Sequence, residues 1–94
     1  MNQAILFSDN EQYNAALQQI AFQAQCQGAL ITCIIAVERL YELNEQPVPV
    51  EHQSEMFSEP AVLALFDAAR FDIEDLAEEL IKQQSFQQNG HIRL

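Results

Sequence analysis

The sequence contains few of the residues from which catalytic and nucleotide-binding sites are usually built. It has only two glycines, and both stand in short stretches that we interpret as turns. A phosphate-binding loop needs several glycines within one short run, so the sequence excludes a site of that type. The Ser, His and Asp order of hydrolases and the local motifs of activated cysteines are also absent. These absences favour a non-catalytic protein and predict no cofactor.

Basic residues are scarce as well. Four Lys and Arg residues stand against fourteen Asp and Glu residues, for a formal net charge of −10. Nucleic-acid binding depends on Lys and Arg neutralising phosphates, and an anionic membrane surface repels an acidic protein. We therefore expect neither a nucleic-acid partner nor a membrane partner. A protein partner with a basic surface fits this charge.

No hydrophobic run is long enough to cross a membrane. The longest one, residues 29–37, is far shorter than a bilayer span and is interrupted by Thr32. The N-terminus also lacks the basic and then apolar pattern of a secretory signal. These features predict a cytoplasmic protein, in which the two cysteines would stay reduced.

The residues that are abundant predict one α+β domain spanning residues 1–94. Hydrophobic residues make up 49% of the 94 residues, with six Phe among them, which is enough for one core. The domain is expected to fold without a metal or a disulfide. Residues 44–57 contain Pro47 and Pro49 and are interpreted as a linker within the domain.

A hairpin is predicted over residues 21–35, because Gln27-Gly28 stands between two runs of alternating character. In this hairpin Phe22 lies opposite Cys33, and Cys26 lies opposite Ala29. The predicted core face holds Phe22, Ala24, Cys26, Ala29, Ile31, Cys33 and Ile35. The predicted outer face holds Gln23, Gln25, Leu30, Thr32 and Ile34.

The same hairpin decides how we interpret the two cysteines. Four positions along the strands would separate Cys26 from Cys33 by more than ~10 Å, which is too far for a disulfide. A zinc site would need two further ligands, and the histidines, His52 and His91, lie in the linker and beside a predicted turn. We expect both thiols to be small buried apolar groups and both histidines to be solvated.

Helices are predicted on both sides of the hairpin. Ser8 and Glu11 have the spacing of a capping box, which predicts a first helix. Its predicted buried face consists of Tyr13, Ala16, Leu17 and Ile20. A short second helix is predicted over 37–43. Residues 60–82 are expected to form one long helix, or two nearly collinear helices broken between residues 70 and 72.

Short strands are expected to complete the sheet at both ends of the chain. Residues 4–7 are predicted to form the first strand, and Asn89-Gly90 predicts a turn before a terminal strand over residues 91–94. The predicted fold is a two-layer α+β domain with a small antiparallel sheet covered by helices. Its exposed edge could recruit a second copy, so we expect a homodimer through a sheet edge.

The order of these features resembles the DUF1488 family of small bacterial proteins. The segments that carry the resemblance are FQAQCQGALITCIIAVERL, LALFDAARFDIEDLAEELIK and SFQQNGHIRL. It implies a compact α+β domain in the bacterial cytoplasm and no particular activity. The chain departs from the family pattern where Ala36 replaces a capping Ser, where Gln84 replaces a helix-ending Gly, and in a longer, Pro-rich stretch at residues 44–57.

Two groups of residues are candidates for function. A face of the long helix is predicted to present carboxylates to a basic protein partner, namely Glu74, Asp75, Glu78 and Glu79. Arg70 is the second candidate, since a guanidinium can pair with carboxylates or bind a small anion. The leading hypothesis is a non-catalytic interaction or regulatory module. The alternative is a metabolite-binding protein or minor enzyme that uses Arg70 in a pocket between helix and sheet.

Overall fold

A computed structural model describes residues 5–47 and 58–94. Within these ranges the chain forms five strands and three helices, which are, in order, β1 (Ile5–Phe7), β2 (Gln12–Asn14), β3 (Gln19–Cys26), β4 (Ala29–Ala36), α1 (Val37–Leu43), α2 (Glu59–Ala68), α3 (Arg70–Lys82) and β5 (Ile92–Arg93). Most of the predicted linker, with His52, lies outside the described residues.

The central hairpin has the predicted register. β3 and β4 pair antiparallel, with Phe22 opposite Cys33 and Cys26 opposite Ala29. Gln27 and Gly28 have φ angles of 53° and 81°. Two consecutive positive φ angles give the two-residue turn whose twist matches that of the flanking strands.

The sheet is mixed, so the prediction of an antiparallel sheet was wrong in one strand. β1 and β2 both pair antiparallel with β3, whereas β5 pairs parallel with β4. Parallel pairing requires a crossover connection, and the three helices between β4 and β5 provide it. Asn89-Gly90 therefore leads the chain into a strand that adds to β4, with Leu94 N–H donating to the carbonyl of Ile34 at 2.9 Å.

The predicted first helix is wrong, and so is the predicted burial of Ala16 and Leu17, which are both exposed. Residues 12–14 form β2, and a turn over residues 15–18 returns the chain into β3. Tyr13 lies opposite Ile20 in this second hairpin, so the seven-residue spacing that indicated a helix is satisfied by a pair of strands. The Ser8 hydroxyl donates to Asn10 Oδ1 at 2.8 Å and does not cap a helix.

The core lies between the helices and one face of the sheet. The largest fully buried side chains come from both layers, and they are Phe66, Ile20, Ile35, Leu40, Ile73, Ile92, Val37, Val62 and Cys33. The predicted core face of the hairpin is correct at its helix-covered end. Toward the turn the cover thins, so that Cys26 and Ile31 are half-buried and Ala29 is exposed.

One residue, Ala69, separates α2 from α3. Its φ and ψ of −107° and 16° end the first helix, while its carbonyl accepts the N–H of Ile73 at 2.9 Å and begins the second. The alternative of two helices is therefore confirmed, with the break one residue before the predicted range. This break places Arg70 at the first position of α3.

α3 ends in strained backbone. Gln84 has a φ of 56°, its N–H donates to the Ile81 carbonyl at 3.0 Å, and Ser85 N–H donates to the Leu80 carbonyl at 3.0 Å. These two bonds define a Schellman motif, in which glycine is the favoured residue at the left-handed position. The chain thus keeps the geometry of a glycine-ended helix with a glutamine in the glycine position.

Replacing Gln84 with glycine is expected to stabilise the protein by about 1 kcal/mol, because the left-handed conformation penalises a side chain that glycine lacks. Urea denaturation would measure the gain. Gln83→Gly is the matched control, since Gln83 has an ordinary right-handed conformation at φ −81°. That variant should lose about 1 kcal/mol, and equal losses in the two variants would contradict the explanation.

Candidate functional site

Arg70 is the centre of a cluster that joins the helices to the sheet layer. Its guanidinium donates to Glu11 Oε2 at 2.7 Å and Oε1 at 3.4 Å, and its Nε donates to Asp67 Oδ1 at 3.1 Å. Asp9 Oδ1 lies 3.5 Å from Nη1. The Arg70 side chain is 21% exposed and that of Glu11 16% exposed, so the central pair is largely shielded from water.

The geometry of this cluster favours a structural role for Arg70. The guanidinium carbon lies 5.2 Å from the centroid of the Phe66 ring, so the cation also packs on an aromatic face. The hydrogen bond with Glu11 is the main reason why the pKa of Arg70 is raised above its ordinary value. An anionic ligand would have to displace carboxylates that already hold the guanidinium.

Glu74 lies at the edge of the Arg70 cluster and not on the outward face of α3. Its side chain is half-buried, and this loss of solvation raises the pKa of Glu74, while the charge of Arg70 acts in the opposite direction. Glu74 is therefore less available to a partner than the exposed Asp75 and Glu79.

The other three predicted carboxylates lie on the side of α3 that faces away from the core. Ile73, Ala77 and Ile81 are buried on the opposite side. Asp75 and Glu79 are exposed, and the half-buried Glu78 accepts from Lys82 Nζ at 2.9 Å. Gln83 Nε2 donates to Glu79 Oε1 at 2.9 Å.

An exposed aromatic residue that the sequence reasoning missed lies among these carboxylates. Phe71 is 82% exposed, and on α3 it stands one turn before Asp75. The sequence could have indicated this exposure, because Phe71 falls outside the four-three alternation of the buried residues. We define the outer α3 surface as Phe71, Asp72, Asp75, Glu78, Glu79 and Lys82.

The described residues contain neither a metal-binding cluster nor a membrane-spanning helix. Across residues 5–47 and 58–94, His, Cys, Asp and Glu side chains form no group of three or more that could hold a metal ion. In the same ranges, every helix is too short or too polar to cross a membrane.

Nearly the whole sequence matches the model of one family. Residues 5–94 fit the model of the family described as "Protein of unknown function (DUF1488)". The chain belongs to the DUF1488 family. This confirms the resemblance noted in the sequence.

Relatives of this DUF1488 protein carry no assigned activity in their names. It is 33% identical over 94 residues to the "Uncharacterized protein YrdB" of Escherichia coli K12, covering 100% of this chain and 99% of the relative. The protein of the same name from Shigella flexneri is 32% identical with the same coverage. The crystal structure of a DUF1488 protein of unknown function from Shewanella loihica PV-4 has a TM-score of 0.77 and 37% identity, with 100% and 94% coverage of the two chains.

The two cysteines of this DUF1488 protein differ in burial. Cys33 is fully buried, and the loss of solvation raises the pKa of its thiol to about 11. Cys26 is only half-buried near the end of the hairpin. The expectation of two fully buried thiols was therefore wrong for Cys26. Among the described residues, Cys33 is the thiol least suited to nucleophilic chemistry at neutral pH, because the thiolate is the reactive form.

A thiol reagent applied to the native protein at neutral pH is expected to label Cys26 and to leave Cys33 unlabelled until the protein unfolds. Counting the labelled thiols with and without urea would test this. The variants Cys26→Ala and Cys33→Ala identify which thiol reacts. Rapid labelling of Cys33 in the native protein would contradict its burial in the core.

Proposed function

We propose that this DUF1488 protein is a non-catalytic interaction module of the cytoplasm that binds a basic, partly apolar protein segment on the outer α3 surface. The observation that carries the proposal is the position of Phe71. This ring is 82% exposed on a helix whose outward side otherwise carries four carboxylates and one lysine.

The surface has the two features that protein recognition needs. An aromatic side chain can supply most of the binding energy of an interface when a partner closes over it. The surrounding carboxylates would speed and orient the approach of a basic partner. Burial of Ile73, Ala77 and Ile81 on the other side holds α3 against the core, so the surface is presented on a fixed element.

The alternative hypothesis, a small anion or metabolite bound by Arg70, draws no support from the contacts of Arg70. Its guanidinium already donates to Glu11 and Asp67. A thermal-shift screen tests the alternative directly, since a ligand specific for the native state raises Tm in a saturable way. A saturable rise that is absent in Arg70→Ala would favour it.

Site-directed cross-linking tests the interaction proposal. A photoreactive phenylalanine analogue replaces Phe71 in one variant and Leu17 in the control, because Leu17 is also exposed, at 64%, but lies in the turn before β3. In bacterial cells, we expect a defined protein adduct from position 71 that is absent from position 17. Mass spectrometry of the adduct should place the contact in a Lys- or Arg-rich segment.

Charge reversal completes the test with the partner found. Asp75→Lys together with Glu79→Lys should weaken binding by about tenfold or more. The reversed charges would repel a basic partner and slow its association with the surface. Glu42→Lys is the control, as this exposed carboxylate belongs to α1. Equal weakening in the control, or an adduct at an acidic segment, would overturn the proposal.

A further inference from the structure

The sheet face that points away from the helices differs in charge from this strongly acidic protein as a whole. The strand residues on this open face are Leu6, Gln12, Asn14, Gln19, Ala21, Gln23, Gln25, Leu30, Thr32, Ile34, Ala36 and Arg93. Although the chain has fourteen Asp and Glu residues, none of the strand residues described on this face is acidic. Its single charged side chain is that of Arg93.

Two exposed leucines lie in one row across this open face. Leu6 in β1 and Leu30 in β4 both lie opposite Gln25 in β3, one on each side. They are 62% and 72% exposed. Water therefore contacts an apolar pair separated by one uncharged amide.

The remainder of the open face consists mainly of uncharged side chains, with Arg93 as the exception. Gln23 and Thr32 lie opposite each other and share a side-chain hydrogen bond of 3.2 Å. Arg93 Nη1 donates to Gln19 Oε1 at 3.4 Å. This hydrogen bond passes over strand β4, which lies between them, and it is consistent with the burial of Ile34 in that strand. The result is a surface of amides and aliphatic groups with one guanidinium.

We propose that a second copy of this chain packs on the open face, sheet against sheet, about a twofold axis. Two copies with a net charge of −10 each repel one another wherever carboxylates meet, and a surface without carboxylates avoids this repulsion. An amide carries both a donor and an acceptor, so glutamines related by a twofold axis can pair with each other. Carboxylates in the same positions could not.

The size of the open face limits it to a weak dimer. The five strands contain 24 residues, and at ~3.3 Å per residue and ~4.8 Å between strands they cover roughly 400 Å². Two such faces bury roughly 800 Å², which is below the ~1,000 Å² of a stable specific interface and fits a weak, concentration-dependent dimer. Packing near the row of Leu6 and Leu30 would bury both leucines of each copy.

This arrangement differs from the homodimer through a sheet edge predicted from the sequence. An edge is present, because β5 pairs only with Cys33 and Ile34 and leaves the first residues of β4 without an outer neighbour among the described strands. β1 lies at the opposite edge, whereas Gln25 lies in β3, which has a paired strand on each side, so edge pairing would not involve Gln25. The two arrangements therefore respond differently to substitution of Gln25.

Sedimentation velocity of the full chain from micromolar to submillimolar concentration tests the proposal. We expect the mass to rise toward that of two chains. Gln25→Glu, which hardly changes the shape of the side chain, and Leu6→Glu should each weaken the dimer by about tenfold or more, since each buries an unpaired charge. Leu17→Glu is the matched control and should dimerise like the unaltered protein.

Salt gives an independent measurement. Added salt screens the repulsion between two acidic chains, so association through an uncharged face should strengthen.

A protein that stays monomeric throughout, a dimer unaffected by Leu6→Glu, or equal weakening by Leu17→Glu would overturn the proposal. Circular dichroism confirms that each variant is folded. Phe71→Ala should leave the dimer intact, which separates this test from that of the outer α3 surface.

Discussion

Replacing Phe66 with alanine is expected to destabilise the protein by about 3–5 kcal/mol, a large part of the ~5–15 kcal/mol that holds a domain of this size. Phe66 is 2% exposed, and its ring meets that of Phe22 edge-on with centroids 5.3 Å apart. The alanine variant loses the buried apolar surface, the contact between the rings and the aromatic face beneath Arg70. Urea denaturation would measure the loss.

The matched control lies five residues away. Phe71→Ala removes the same atoms from a side chain that is 82% exposed, and it should change stability by no more than about 0.5 kcal/mol. Phe66→Leu keeps much of the volume and should lose only about 1.5 kcal/mol. Similar losses at Phe66 and Phe71 would contradict the assignment of one ring to the core and the other to the surface.

Features whose signal is local could be predicted from the sequence. The β3–β4 register follows from one two-residue turn and two alternating runs, and no distant part of the chain is needed to specify it. The first predicted helix failed for a physical reason. A seven-residue spacing brings Tyr13 and Ile20 together in a helix and also in a short hairpin, and pairing with β3 selected the hairpin.

The contacts of the candidate site could not be predicted in the same way. Arg70 and Glu11 are separated by 59 positions in sequence, and several acidic residues were available as partners. The partner depends on where α3 crosses the sheet, which no local pattern specifies. The parallel direction of β5 could not be predicted for the same reason, because it depends on the path of the three helices.

Replacing Arg70 with methionine is expected to destabilise the protein by about 2 kcal/mol, because Glu11 would remain as a poorly solvated carboxylate without its cation. Methionine retains an unbranched apolar stem against Phe66, so the loss measures mainly the charge and its hydrogen bonds. Arg39→Met is the matched control, since Arg39 pairs with Glu42 at 3.3 Å on an exposed surface. Its loss should be below about 0.5 kcal/mol. Comparable losses in the two variants would contradict a special role for the Arg70 cluster.

A double variant distinguishes a favourable ion pair from the penalty of an unpaired carboxylate. If the loss in Arg70→Met arises mainly from Glu11, then adding Glu11→Gln should restore about half of it or more, because a neutral amide is easier to bury than a charge. If the hydrogen bonds from Arg70 to Glu11 are themselves strongly stabilising, the double variant should stay as unstable as the single one. The first result is expected, because Glu11 is 16% exposed, whereas the other two carboxylates paired with Arg70, those of Asp9 and Asp67, are 92% and 73% exposed. The second would show that the pair stabilises the contact between helices and sheet directly.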